Sequence, residues 1–365
     1  MKLGIFCNFG PPHCGGSEIV LENIAIGLIN QYGYDVTIYG YNYNSKFKYK
    51  GINVVPCREG SPLIAQINRN DHVFVYSDSF WGWDTIVENI DKVVPDVSVA
   101  LVGAYHMRDH NKATGEKFKA NIDRFRVICH SKLNVDNEWC LDNDLSATVV
   151  PNGVNLSEFD DNTVNFREKY GIKEKYMFLN VSNFFYGKGQ EALIDIGTHF
   201  VRGEIKDNYV IVQISNSVNY PYDRRFLERC KEECGNKNVN IKFLRDIPRE
   251  DVVAAFKAAG VFLFTSRKEI CPLVILESQA ASLPWISIDV GNVREREGGK
   301  VIHYTEEDDK GYKIINHKTI CSYVIRVADI FEVDGEELSI AGRAGAELLD
   351  WKNIVPVYNR VFNNE

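Results

Sequence analysis

Two glutamates lie eight residues apart in Thr265-Ser-Arg-Lys-Glu269-Ile-Cys-Pro272-Leu-Val-Ile-Leu-Glu277-Ser-Gln-Ala-Ala-Ser-Leu-Pro284. Pro272 fits the first turn of a helix, and Leu273, Leu276 and Ala280 recur at the spacing of its buried stripe. Glu269 then stands just ahead of the helix and Glu277 within it, facing the same cleft. Between them the helix start offers unpaired backbone N–H groups to a phosphate. Carboxylates flanking an anion site could hold sugar hydroxyls on either side of a diphosphate. From spacing alone, two solvated glutamates on a helix and its lead-in are the simpler account.

A second candidate is the loop Gly10-Pro-Pro-His-Cys-Gly15-Gly16-Ser17-Glu18, which follows the first apolar run and leads into a helix. Paired glycines let backbone approach a ligand, and amides at a helix start favour an anion. A tight turn capped by Ser17 explains the loop equally well. A dinucleotide site would need G-x-G-x-x-G and an acidic residue after the second strand. The glycine spacing differs and the second run ends in Gly40-Tyr41-Asn42, which argues against a nicotinamide enzyme.

The elements that must carry these loops alternate in type. Strand-length apolar runs at Leu3–Cys7, Asp35–Tyr39, His72–Tyr76, Ser98–Val102, Arg126–Cys129 and Ala147–Val150 are separated by helical patterns such as Ile19–Tyr32. The pattern restarts at Met177–Val181, Tyr209–Ile214, Asn240–Leu244, Val261–Phe264 and Trp285–Ile288, with helical stretches at Asp251–Ala259 and Pro272–Ser282. Such alternation predicts α/β architecture with parallel sheets. Pro151-Asn152-Gly153 and the acidic stretch Glu158–Asp161 interrupt it, so two doubly wound domains are expected, with ligands at the carboxyl ends of their strands and a cleft between them.

Composition narrows the function classes. A chain of 365 residues exceeds one ordinary core, and its 45% hydrophobic and 25% charged content is globular. Net charge is −8; acids exceed bases both through residue 160 (19 against 14) and after it (31 against 28). Nucleic acid is therefore a disfavoured partner. Nine cysteines without a C-x-x-C pair fit reduced thiols in a cytoplasmic compartment, and Cys230 with Cys234 reads as two semi-buried thiols rather than half a zinc site. No apolar run is long enough to span a bilayer, which leaves peripheral membrane contact open.

The two-glutamate block resembles the E-x7-E motif of retaining GT-B glycosyltransferases, specifically glycosyltransferase family 4. Further segments carry the resemblance in order along nearly the whole chain. Gly15-Gly16-Ser17-Glu18 is similar to the family's G-G-x-E loop, and Val150-Pro-Asn-Gly-Val-Asn155 with Phe159 to its P-N-G-V-D…F signature. Gly187-Lys188-Gly189 resembles the K-G turn, and Phe243–Val252 the strand-to-helix step ahead of the nucleotide pocket. Asp289-Val-Gly291-Asn292-Val-Arg-Glu295 is similar to D-x-G-G-x-x-E with asparagine for the second glycine, and Trp351…Tyr358 to the closing helix.

The resemblance implies a GT-B fold: two Rossmann-like domains facing each other across a cleft, 1–160 on the acceptor side and 161–348 on the donor side, with 349–365 a helix crossing back to the first. It implies retaining, metal-independent transfer of a sugar from a nucleotide-diphosphate sugar to a carbohydrate or glycoconjugate acceptor. Glu277 would bind the donor ribose and Glu269 the transferred sugar, with amides around Leu273 and Val274 on sugar or phosphate. Lys188 would neutralise the diphosphate, His106 would lie near the donor sugar, and Gly15 and Gly16 beside the diphosphate or acceptor. One departure stands out: the family commonly has arginine where this chain has Asn183, so Lys188 suffices, another basic residue such as Arg245 or Arg267 reaches in, or the donor is handled differently. No covalent nucleophile is evident, which favours a substrate-assisted front-face route. Asp142-Asn-Asp144 reads as a solvated turn, and no metal cofactor is expected. Other readings are a nucleotide-sugar epimerase of the same shape and a non-catalytic nucleotide-sugar-binding protein. The aromatic stretch Tyr76–Trp83 is the most suggestive acceptor surface, or else core.

Overall fold

The computed structural model describes residues 1–12, 15–103, 106–216, 221–303 and 306–365. His13 and Cys14 of the glycine-rich loop, and Ala104 and Tyr105 ahead of His106, lie outside the described residues. Contacts divide the chain into one unit of Met1–Gly153 plus Leu349–Glu365 and another of Val154–Leu348.

The first unit is built on eight strands: β1 (Lys2–Cys7), β2 (Asp35–Gly40), β3 (Phe47–Tyr49), β4 (Ile52–Pro56), β5 (His72–Tyr76), β6 (Asp96–Ala100), β7 (Phe125–Cys129) and β8 (Ala147–Val149). Their order is β3-β4-β2-β1-β5-β6-β7-β8, parallel except at the β3–β4 pair. The central strands read as unbroken apolar runs because helices cover both faces of a parallel sheet. Strand β6 lies earlier than the expected Ser98–Val102, since its register with β5 runs from His72↔Asp96 to Tyr76↔Ala100. Neither β3 nor β4 was expected; β3 is three residues long at the sheet edge, with mixed polarity and no periodicity to read.

The helix after β1 spans Gly16–Tyr32 and buries Val20, Leu21, Ile24, Ala25 and Leu28. Ser17 is not its cap: helical dihedrals begin at Gly16, so the capping position falls to Gly15, with extended φ −86° and ψ 166°. At the far end of the chain, the amphipathic helix Trp351–Asn363 returns to this sheet. Phe362 and Tyr358 pack on Phe74 of β5 at ring separations of 5.3 and 5.8 Å.

The second unit carries β9 (Tyr176–Val181), β10 (Tyr209–Ser215), β11 (Ile241–Arg245), β12 (Val261–Phe264), β13 (Trp285–Ile288) and β14 (Gly299–Ile302) in the order β11-β10-β9-β12-β13-β14. All its pairings are parallel. The order reverses beside β9, so the loops after β9 and β12 form the topological switch point where such sheets bind ligands. Cys230 and Cys234, on the helix Pro221–Lys237, are buried against Phe184, Phe226 and Leu227. Burial pushes the two thiols up to about 12 and about 11, which keeps them protonated.

Candidate active site

In the second unit the K-G turn follows β9 as a single 3-10 turn, Tyr186–Lys188, closed by Gly189. Gly189 has φ +63°, and a Cβ there would stand 2.2 Å from the Thr265 carbonyl oxygen, so only glycine allows this approach. Thr265 Oγ1 donates to the Lys188 carbonyl at 3.0 Å, and the Arg267 amide donates to the Gly187 carbonyl at 2.9 Å. The turn is thereby stitched to the loop after β12. The stitching brings Lys188 Nζ to 2.5 Å from Glu269 Oε1, with both side chains mostly buried. Sequence reasoning gave these residues separate partners; the structure makes them partners of each other.

Glu269 is held from the other side by the D-x-G turn. Gly291 has φ +54° and lies so close that a Cβ would meet the Ile270 carbonyl oxygen at 2.8 Å. Asn292, where the family resemblance has glycine, adopts φ −103°, which any residue tolerates; its side-chain amide lies 3.2 Å from Cys271 Sγ. The substitution therefore leaves the backbone path intact.

The helix between the glutamates spans Leu273–Ala280, with Pro272 as its cap rather than inside its first turn. Ile275, Leu276 and Ala280 are buried, whereas Leu273 is half-exposed and does not extend the buried stripe. Its first amides, those of Leu273 and Val274, have no intrahelical acceptor by virtue of their position. Glu277 is buried one turn further on, with Oε1 2.6 Å from Arg249 Nη1. Burial pushes the Glu277 carboxyl up from the ordinary carboxylate range, while Arg249 pulls the other way. Arg249 also grips Glu158 Oε2 at 2.8 Å. Burial works against its charge, but the Glu277 and Glu158 carboxylates together outweigh that and raise its affinity for the proton.

Arg249 went unnoticed as a site residue in the sequence. A signal existed: it is the first residue of the helix Arg249–Ala258, where a cation opposes the helix dipole unless acids hold it.

The remaining donor-side candidates differ in how they are engaged. Asn183 is exposed, and its carbonyl accepts from Gln190 Nε2 at 2.7 Å, which ties down the loop after β9. Arg267 is committed within the protein: it donates to Tyr186 OH at 2.7 Å, pairs with Glu191 and stacks on the Tyr186 ring at 4.4 Å. Arg245 ends edge strand β11, exposed, with no hydrogen bond or ion pair to Lys188 or Glu269 among the described residues.

In the first unit His106 opens a π-helical turn, His106–His110. Its Nε2 lies 2.7 Å from Asp84 Oδ1, and its backbone amide donates to Asp78 Oδ2 at 3.1 Å. Asp84 also accepts from Thr114 Oγ1 at 2.7 Å and Asn111 Nδ2 at 2.9 Å. Burial alone would raise the Asp84 carboxyl, but these donors outweigh it and hold the group below its usual range. Asp78 is fully buried at the end of β5 and takes the amides of both His106 and Met107. Asp136, likewise buried, accepts the Gly103 amide at 2.7 Å; burial first, with Asp78 nearby, raises it to about 6. The supporting roles of Asp78, Asp84 and Asp136 were not read from the sequence, since nothing local marks an aspartate as the anchor of a distant loop.

Gly15 and Gly16 sit at the start of the first helix, Gly16 exposed, with the Glu18 carboxylate folded back over Gly15. In the Tyr76–Trp83 stretch, Tyr76, Phe80 and Trp83 are core. Trp81 is half-exposed, 6.4 Å from the exposed Tyr41 ring. Asp142 and Asp144 end the helix Val135–Asp142 as exposed residues.

Residues 162–309 match the family of glycosyl transferases group 1. A curated relative, the UDP-Gal:α-D-GlcNAc-diphosphoundecaprenol α-1,3-galactosyltransferase of Escherichia coli, is 25% identical over 225 residues, or 57% of this chain. That stretch is 54% of the relative, so the chain spans about half its length. Among solved structures, the sucrose-phosphate synthase of Thermosynechococcus elongatus superposes with a TM-score of 0.74 at 15% identity, covering all of both chains. HepE of Anabaena, in complex with UDP and glucose, gives 0.76 at 14% identity over all of both chains. A UDP-forming trehalose-phosphate synthase of Burkholderia xenovorans gives 0.75 at 11%, over 99% of this chain and 98% of that one. At these identities the likeness establishes a shared GT-B architecture.

Proposed function

We propose that the chain is a glycosyltransferase of group 1, family 4, and that on its GT-B fold it performs retaining, metal-independent transfer of a hexose from a UDP-sugar to a hydroxyl of a lipid-linked glycan. The carrying observation is the Lys188–Glu269 pair beside the unpaired amides of Leu273 and Val274. Cation, amides and carboxylate together suit a diphosphate joined to a sugar: Lys188 and the amides take the phosphate oxygens, and Glu269 accepts sugar hydroxyls. Glu277, oriented by Arg249, takes the ribose hydroxyls. His106 keeps its proposed place near the donor sugar, and Gly15 and Gly16 theirs beside the diphosphate or acceptor. Arg245, exposed and outside the pairs just described, is the basic residue best able to compensate for Asn183.

In the reaction the bond between the sugar anomeric carbon and the diphosphate oxygen breaks, its electron pair staying on that oxygen. Lys188 and the helix amides stabilise the charge that develops there. The acceptor oxygen bonds to the same face of the anomeric carbon, and its proton passes to the departing phosphate. UDP-sugar as donor is supported by the name of the Escherichia coli relative and by the UDP bound to HepE. A lipid-linked glycan as acceptor is supported by that relative's name and by exposed Phe9 and Tyr41, which follow β1 and β2 with Trp81 alongside. Among the described residues no helix is long and apolar enough to cross a membrane.

The test supplies UDP-galactose and UDP-glucose, each with and without a polyprenyl-diphosphate-linked N-acetylglucosamine, in EDTA. Acceptor-dependent UDP release with an α-configured product is expected. A β product would overturn retention, activity lost in EDTA and restored by magnesium(II) or manganese(II) would overturn metal independence, and release unaffected by the acceptor would overturn the acceptor class.

A further inference from the structure

Away from the sugar-nucleotide site, the second unit gathers two imidazoles and a thiol. His199 lies in the last turn of the helix Gln190–Arg202, and His317 and Cys321 lie four apart on the helix His317–Asp329. The two helices pack together, and residues four apart share a helical face. One ligand atom from each side chain lies within 4.8 Å of the others, and the imidazole centroids are 5.8 Å apart. We propose that His199, His317 and Cys321 form a zinc(II) site that clips these helices together.

The donor set is nitrogen and sulfur, which selects zinc over calcium or magnesium. A tetrahedral zinc holds sulfur at about 2.3 Å and imidazole nitrogen at about 2.0–2.1 Å, placing them about 3.6 Å apart. Cys321 Sγ lies 3.6 Å from His317 Nδ1. Asn316 caps the helix by accepting from the Thr319 amide at 3.0 Å, so His317 projects from a fixed first turn. His199 completes the set by a side-chain rotation, and the exposure of His317 leaves a fourth position to water. Ligation releases the Cys321 thiol proton to solvent.

The other described cysteines are unsuited. Cys7, Cys57, Cys129, Cys140, Cys230 and Cys234 are sealed in the core, and Cys271 Sγ faces Asn292 and Arg296 as donors. The clip would sit at the far end of the helix that begins directly after Lys188-Gly189, so it braces the donor-side unit without entering the chemistry.

The experiment titrates the EDTA-stripped, full-length protein with cobalt(II) and then zinc(II). Tetrahedral cobalt bands in the visible and a sulfur-to-cobalt charge-transfer band are expected, both abolished by one equivalent of zinc, with a higher thermal midpoint in zinc than in EDTA. Cys321→Ser should lose the charge-transfer band, and His199→Ala should weaken cobalt binding by at least about tenfold. His317→Ala, at an exposed position, provides a second test should Cys321→Ser fold poorly, and thermal midpoints in EDTA establish that each variant is folded. An octahedral spectrum without the sulfur band, a band that survives Cys321→Ser, or wild-type titration of both folded histidine variants would overturn the site.

Discussion

In the second unit the charged candidates Lys188, Glu269 and Glu277 are already paired: Lys188 with Glu269, and Glu277 with Arg249, which also holds Glu158. In the first unit the candidate residue is a histidine on a loop, braced by Asp84 at its ring and by buried Asp78 at its backbone. The difference teaches how each region prepares for a ligand. Pairing keeps the charges of the second unit compensated, those of Lys188, Glu269 and Glu277 being mostly buried, and in the proposed reading a diphosphate and sugar would exchange for them. The first unit instead spends buried carboxylates on holding backbone, which fixes where His106 stands without committing further cations.

The comparison is most sharply broken at Lys188. Lys188→Ala should lower kcat/KM by about 10²- to 10³-fold, the cost of removing one stabiliser of a developing oxyanion. An unchanged rate would show that the Lys188–Glu269 pair only links two loops. Next comes the carboxylate that carries loop backbone in the first unit. Asp136 titrates at about 6 when folded, against an ordinary value of 3.8. Between those pH values the native state keeps a proton that the unfolded chain releases, so this group makes stability fall as pH rises from about 4 to about 6. The gap amounts to about 3 kcal/mol. Urea unfolding across that window should show the fall in wild type and its reduction in Asp136→Asn, and superimposable profiles would refute the assignment.

A smaller effect is expected at Glu277. Glu277→Gln removes a charged acceptor and leaves Arg249 to Glu158 alone, so calorimetry should find UDP bound about 10-fold or more weakly, in line with about 1.5–3 kcal/mol for charged hydrogen bonds. Equal affinity would reduce the Arg249–Glu277 pair to a structural contact. The smallest effect belongs to Asp84, which positions His106. Asp84→Asn should lower kcat by about tenfold, short of the roughly 10²-fold that a 1 Å misplacement can cost, while KM stays close to wild type. A rise in KM alone would assign Asp84 to binding instead.

Much of the donor-side candidate site was legible in the chain because its signals are local. A lysine between glycines, a proline before an aliphatic run and glutamates eight apart are each a statement about one turn or one helix. Ser17 was misread as a cap because one residue separates a capping position from a helical one, and sequence does not resolve that step. Leu273 was placed in the buried stripe although the first turn of its helix is half-exposed. Strands β3 and β14 escaped notice because edge strands are short and need not be apolar.

By itself, the sequence determined the alternation of strand and helix, the motif glycines and which residues could bear chemistry, since periodicity and backbone conformation act over a few residues. Only the tertiary structure decided who meets whom. Lys188 reaches Glu269 across 81 positions because Gly189 lets the turn after β9 touch the loop after β12. Arg249 reaches Glu158 across 91 positions, and His106 is held by Asp78 just after β5 and by Asp84 in the helix Trp83–Glu88. Such pairings depend on strand order and loop register, set by the burial of whole sheets, and no local pattern records them.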